Sequence, residues 1–350
     1  MIRRLLLIGA LPPPIGGDAI WAQNFVNHPL TQGMLIQTVN TSLIGRRAQR
    51  LGTRFHAWDE IKRAGCIWGM TLTHLMRFKP EVVHLNCNCA PLGVIRDFVT
   101  MCLIRIWRVP VVLHSHANVP DAIGASRLGA AFLRCCLRTA AHVLVLNAPS
   151  RDYCNRLGGT ACEIMPNFIN DDEIAVEHTV RPEISKVIFV GHMIRTKGVF
   201  EIMEVAKRYP HITFMMAGMA TPEILNIEVP LNMNFLGNID KSNLETVLDD
   251  ADVFMFPTYT EGFSLALLEA MARGLPVITT PVGANTDMIE TRGGLLVSVG
   301  SVEELCSALQ HLQDPTTRAA MSQWNIAKVE NNYAAHKVIN RLKAVYSSIQ

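Results

Sequence analysis

The sequence predicts an α/β chain built as two doubly wound parallel sheets. Three observations carry this. A chain of 350 residues with 49% hydrophobic content suits two domains, each with its own core. Short apolar, β-branched runs alternate with longer helical patterns throughout. The two halves also open alike, with LLLIG leading to a Pro/Gly loop that ends at Gly16-Gly17, and VIFVG leading to HMIRTKG.

In chain order the first half offers the strands RLLLIG, MLIQTV, VVHLN, VVLHSH and HVLVLN. Its opening, MIRRLLLIGAL, imitates a signal peptide, but PPP follows where a small-residue cleavage site is needed, so it reads as a buried first strand. The apolar stretch from Leu92 to Val109 is cut by Arg96, Asp97, Arg105 and Arg108 and does not read as a membrane span. The second half repeats the rhythm with KVIFVG, ITFMMAG, MNFLG, DVFMFP, PVITT and LLVSV, separated by stretches long enough for right-handed helical crossovers. Two similar sheets are expected. Between the halves, EIMPNFIND gives way to an acidic, irregular stretch that puts the boundary near residues 166–185. The expected division is residues 1–168, residues 169–330, and a C-terminal helical segment, 331–350, packing at the junction. Ala335, Val338, Ile339, Leu342 and Val345 give that segment one apolar face.

Charge is distributed unevenly. Residues 1–170 hold 18 Lys+Arg against 8 Asp+Glu, a net +10, and residues 171–350 hold 14 against 22, a net −8. The first half therefore suits an anionic partner, against the plainer reading of a solvated surface bias. The nine cysteines are irregularly spaced without a Cys-x-x-Cys pair, which reads as a reduced, cytosolic set. Neither half has a G-x-G-x-x-G fingerprint, which argues against a dinucleotide enzyme. No nucleic-acid module or stacking-aromatic array is present, so no nucleic-acid partner is expected.

The most informative segment is DVFMFPTYTEGFSLALLEAMARGLPVITTPVGANTDMI, which runs strand, loop, helix, strand. Glu261, Gly262, Phe263 and Ser264 fall where the loop meets the helix, a position whose backbone N–H groups and dipole favour a phosphate. Gly262 permits close backbone approach, and Ser264 alone reads as an ordinary N-cap. Glu269 lies further along the helix among Leu267, Leu268, Ala270 and Met271, where an unpaired carboxylate is costly and sugar hydroxyls would satisfy it. In VGHMIRTKG, Arg195 and Lys197 follow the first strand of the second half and bring two cations toward the same strand ends. Alone, Lys197-Gly198 would read as a solvated loop. Gly16 and Gly17 offer a bare backbone for phosphate or sugar, or a simple tight turn. His114 and His116, in VVLHSHANVP, alternate onto one face of a strand. Two histidines at that spacing can chelate zinc, but the sequence offers no clear third or fourth ligand, and no metal is expected.

These motifs resemble the retaining glycosyltransferases of GT-B fold with a Glu, seven residues, Glu signature (glycosyl transferases group 1, family 4-like), most strongly from Val187 to Val297. The resemblance implies two Rossmann-like domains facing across a cleft: an acceptor-side first domain and a nucleotide-sugar-binding second domain. It gives Glu269 the ribose hydroxyls and Glu261 the transferred sugar. It gives the amides of Gly262, Phe263, Ser264 and Leu265 donor phosphate or sugar, and Gly16-Gly17 the donor from the opposite domain. His116 would contact the sugar and stabilise developing charge, with His114 in support, and Asn167 would serve the hinge. His192 stands where such proteins usually carry arginine, so Arg195 or a protonated His192 would have to complete the clamp with Lys197.

The implied activity is transfer of a hexosyl group, with retention, from a UDP-, GDP- or ADP-sugar to a saccharide or lipid-linked saccharide hydroxyl, in polysaccharide, lipopolysaccharide or glycolipid synthesis. No further cofactor is expected, and no Asp-x-Asp motif is evident. The basic stretches RRAQRLGTRFHAWDEIKR and IRDFVTMCLIRIWR suggest peripheral docking to an anionic membrane, hence a cytoplasmic protein at the inner face of the cytoplasmic membrane. The alternatives are a sugar-nucleotide epimerase on the same scaffold and a non-catalytic sugar-nucleotide-binding protein.

Overall fold

The computed structural model describes residues 2–13, 16–42, 57–87 and 89–349. The chain divides into two units, Met1–Asn167 with Val338–Gln350, and Phe168–Lys337.

The first unit holds six strands: β1 (Arg4–Gly9), β2 (Leu35–Asn40), β3 (Val82–Cys87), β4 (Val111–Ser115), β5 (His142–Val145) and β6 (Cys162–Ile164). They pair in parallel in the order β2-β1-β3-β4-β5-β6. The run Leu5-Leu6-Leu7-Ile8 is almost wholly buried because helices cover both faces of a parallel sheet, which is why the opening residues form a strand.

The second unit holds β7 (Lys186–Val190), β8 (Thr213–Ala217), β9 (Met233–Gly237), β10 (Val253–Phe256), β11 (Val277–Thr279) and β12 (Gly294–Leu296). Their order is β12-β11-β10-β7-β8-β9, again all parallel. The two sheets have equal strand numbers but different orders, so they are not copies. The first unit places one strand outside its first strand and the second unit places two. The strand order therefore reverses between β1 and β3 in one unit and between β7 and β10 in the other. Loops on the carboxyl side of a reversal diverge and leave room for a ligand.

The helical tail is two helices, Pro315–Asn332 and Ala335–Ser348. At the break, Ile169 N–H donates to the Tyr333 carbonyl (3.1 Å) and Ala335 N–H to the Ile169 carbonyl (2.8 Å). The second helix buries Val338, Ile339 and Leu342 and belongs to the first unit from Val338 onward.

Among the described residues no helix is long and apolar enough to cross a membrane. Of the two basic stretches, the part of the first before Ala57 lies outside the described residues. In the second, within the helix Pro91–Ile106, Arg96 is turned inward, its guanidinium 2.6 Å from the buried carboxylate of Asp97. Arg105 and Arg108 are the exposed cations of this stretch.

The start of β7 is tied to β10 through Asp252. Its buried carboxylate accepts from the backbone N–H groups of Ser185 (2.8 Å) and Lys186 (2.9 Å) and from Arg181 (2.9 Å). Burial pushes this carboxyl up, but those donors hold it below the ordinary aspartate range. Asp252→Ala strands two backbone donors and a guanidinium, and should cost about 3 kcal/mol in urea unfolding. Asp249→Ala, an exposed partner of Arg273, should cost under about 1 kcal/mol.

Candidate donor site

In the second unit the site lies at the β7/β10 reversal. The loop after β7 ends in a short turn, Arg195–Lys197, then Gly198, then the helix Val199–Arg208. The loop after β10 runs from Pro257 to Ser264, where the helix Leu265–Ala272 begins. Backbone bonds join the two loops, since the Thr196 carbonyl accepts from Tyr259 N–H (2.9 Å) and Thr258 Oγ1 (3.2 Å). Gly198 has a φ of +74°, and a Cβ there would stand 2.2 Å from the Pro257 carbonyl oxygen. Gly283 has a φ of +57°, and its Cβ would meet the Glu261 carbonyl oxygen at 2.0 Å. Both positions require glycine on two grounds, conformation and approach.

This packing brings Lys197 and Glu261 into a half-buried ion pair, with the ammonium 5.5 Å from the centre of the Phe256 ring. The pair sits just before the N-terminus of the helix Leu265–Ala272, whose first amides have no carbonyl within the helix to donate to. Ser264 is the N-cap, its hydroxyl accepting from Leu267 N–H at 3.2 Å. Phe263 is buried edge-on to Tyr333, with 5.5 Å between ring centres. The Gly262 carbonyl accepts from Ala284 N–H at 3.1 Å, and Leu265 is the first helical residue.

The second cation is placed differently from the expectation. Arg195 is largely exposed, pairs with Glu223 at 3.1 Å and lies 4.2 Å over the ring of Phe200, so it does not join Lys197. His192 is exposed. The reason is local: Arg195 and Lys197 flank Thr196, which is bonded to the loop after β10, so the two side chains leave the turn in different directions.

Glu269 sits in the second turn of its helix. It faces a small pocket with Ile169, Glu173, Lys241, Leu248 and Arg273, and Glu261 is not among the residues lining it. Desolvation raises its carboxyl to about 7, with Lys241 opposing and Glu173 and Glu245 adding to the rise. Glu173 and Lys241 form an ion pair at 2.5 Å. Sequence reasoning passed over this pair, which joins a short turn before β7 to the start of the helix Lys241–Asp249. No spacing rule links residues so far apart.

In the first unit Gly16 is extended (φ −149°) and Gly17 opens the helix Gly17–Asn27, so the two glycines form a helix N-terminus. His114 lies in β4 and His116 directly follows that strand, their ring centres 4.1 Å apart. A third histidine, His84 on β3, lies beside them, and the nitrogens of all three fall within 4.8 Å of one another. The missing third ligand was thus in the sequence, in VVHLN, and only the pairing of β3 with β4 reveals it. Burial holds all three neutral: His84 and His116 fall to about 3, and His114 falls well below its ordinary value.

Two sheets of this order and connectivity define the GT-B class of fold. Sucrose-phosphate synthase from Thermosynechococcus elongatus superposes with a TM-score of 0.80 at 17% identity, covering 99% of both chains. Anabaena HepE in complex with UDP-glucose gives 0.75 at 14% identity, covering 98% of this chain and 99% of that one. Residues 184–314, which lie within the second unit, match the family model of Glycosyl transferases group 1. Among curated proteins, Arabidopsis thaliana sulfoquinovosyl transferase SQD2 is 25% identical over 71% of this chain and 52% of its own. The chain spans about half the length of the curated relatives it matches.

Gly198→Ala should lower stability by about 2 kcal/mol or more, because strain and collision add. Gly237→Ala has a φ of +65° but open space around its Cβ, and should cost only about 1 kcal/mol in the same urea titration. Equal losses would mean that the close approach to Pro257 does not matter.

Proposed function

We propose that the chain is a retaining glycosyltransferase. It moves a hexosyl group from a UDP-, GDP- or ADP-sugar to a hydroxyl of a saccharide or lipid-linked saccharide, in polysaccharide, lipopolysaccharide or glycolipid synthesis. The observation that carries this reading is the Lys197–Glu261 pair held at a helix N-terminus inside the segment that matches the group 1 model. Similar proteins point the same way: a sulfoquinovosyl transferase, a sucrose-phosphate synthase and a protein holding UDP-glucose.

On this reading a diphosphate takes the place of Glu261 at the Lys197 ammonium, and the helix amides share its charge. The released Glu261 carboxylate then accepts a hydroxyl of the transferred sugar. The bond from the anomeric carbon to the phosphate oxygen breaks, the acceptor oxygen bonds to the same face of that carbon, and the departing oxygen takes the acceptor's proton. Lys197 carries the clamp, and Arg195 joins only by leaving Glu223. The role of His116, stabilising charge on the sugar, rests on the resemblance alone; its neutral ring would act as a dipole. The +10 charge of residues 1–170 supports an anionic, lipid-linked acceptor at the inner face of the cytoplasmic membrane.

A thermal-shift screen with UDP, GDP, ADP and their sugars identifies the donor. With that donor, Lys197→Ala and Glu261→Ala should each lower kcat/KM by about 100-fold or more. Full transfer by both variants would sink the assignment.

Glu269 adds a pH signature. A carboxylate that accepts ribose hydroxyls must be ionised, and this one begins near 7, so nucleotide binding expels a proton. Affinity for the nucleoside diphosphate should rise about tenfold from pH 6 to pH 8 beyond any change shared with Glu269→Gln. Titration calorimetry giving parallel pH profiles for both proteins would remove Glu269 from the nucleotide site.

A further inference from the structure

The first unit contains a histidine cluster of which the transfer reading uses only His116. His84 from the middle of β3, His114 from the fourth position of β4 and His116 just beyond that strand converge on one side of two paired strands. His84 and His114 are fully buried, and His116 keeps a little exposure. His84 Nε2 and both ring nitrogens of His116 are buried without a hydrogen-bond partner. A neutral imidazole always carries one N–H and one lone pair, so each such ring costs about 1–3 kcal/mol unless something engages it.

The surroundings are those of a ligand set more than of an ordinary core. The other nitrogen of His84, Nδ1, lies 2.7 Å from Tyr346 Oη on the helix Ala335–Ser348. Ligating histidines are commonly held this way: one nitrogen is fixed by an outer partner while the other faces the ion. The Trp21 ring stands 5.3 Å from His84, 5.3 Å from His114 and 4.6 Å from His116, closing the cluster with an apolar wall. Among the described residues no carboxylate joins the three, so the donor set is all imidazole, which suits zinc and its neighbours among divalent metals and not magnesium or calcium.

We propose that His84, His114 and His116 form a three-histidine site for a divalent transition metal of the zinc type, with Tyr346 holding His84 in its ligating orientation. The nitrogens now lie within 4.8 Å of one another. Tetrahedral ligation at about 2.1 Å asks each ring to move inward by roughly 1 Å. The partial exposure of His116 supplies the route of entry, and three protein ligands leave a fourth position open. The site shares only His116 with the transfer reading, and an imidazole that ligates through one nitrogen keeps the other.

The test uses the full chain, stripped with chelator, loaded with zinc sulfate, desalted and measured by elemental analysis. Wild type should retain about one equivalent of zinc and melt at a higher temperature with the metal than without it. Cobalt(II) should give the intense visible bands of a tetrahedral nitrogen site. His84→Gln and His114→Gln should lose both the retained metal and the melting shift, and Tyr346→Phe, which keeps the ring and its packing, should weaken zinc binding about tenfold or more. Retention below about a tenth of an equivalent by wild type would overturn the proposal. So would undiminished binding by folded His84→Gln, or cobalt bands of thiolate type, which would move the metal to the cysteines. None of these readings involves sugar transfer, so failure here and failure of the transfer reading are told apart.

Discussion

The second unit depends on one close approach of two backbones. At the β7/β10 reversal, Gly198 passes against the Pro257 carbonyl and Thr196 is bonded to Thr258 and Tyr259, so two loops from distant parts of the sequence move as one piece. That contact delivers Lys197 to Glu261. Gly283 repeats the device one layer further on, letting the loop after β11 lie under the Glu261 carbonyl. The charged pair is thus a consequence of backbone geometry, and side chains at either glycine would undo it before any charge changed.

Burial sets the remaining electrostatics, with a different result in each unit. Around Asp252, burial is outweighed by backbone donors and the carboxylate stays ionised. Around Glu269 it is not, and the carboxyl titrates near neutrality. The three histidines have no acid beside them and remain neutral. The same cost of desolvation therefore yields an ionised structural anchor, a carboxyl poised near neutrality and a set of neutral imidazoles, according to what each group faces.

Much of the fold was legible in the chain. Eleven of the twelve strands coincide with runs legible in the sequence, because the strands of a covered parallel sheet are largely apolar; Cys162–Ile164, half-buried with a glutamate at its centre, does not. Ser264 was legible as an N-cap; the close approaches at Gly198 and Gly283 were not, because they depend on which loops meet. Strand order was not, since apolar runs do not state their neighbours, and the two sheets differ in this respect alone. The direction of Arg195 was equally hidden: a turn of three residues does not reveal that its middle carbonyl is bonded elsewhere.

By itself, then, the sequence determined the α/β class, eleven of the twelve strands and the residues that can carry charge or a lone pair, because these follow from hydropathy period and side-chain chemistry. Tertiary structure alone decided which of them meet. It paired Lys197 with Glu261 and left Arg195 with Glu223, it placed Glu173 and Lys241 beside Glu269, and it set His84 next to His114 and His116. The physical reason is common to all: parallel strand pairing joins residues at a register and distance that no local spacing encodes.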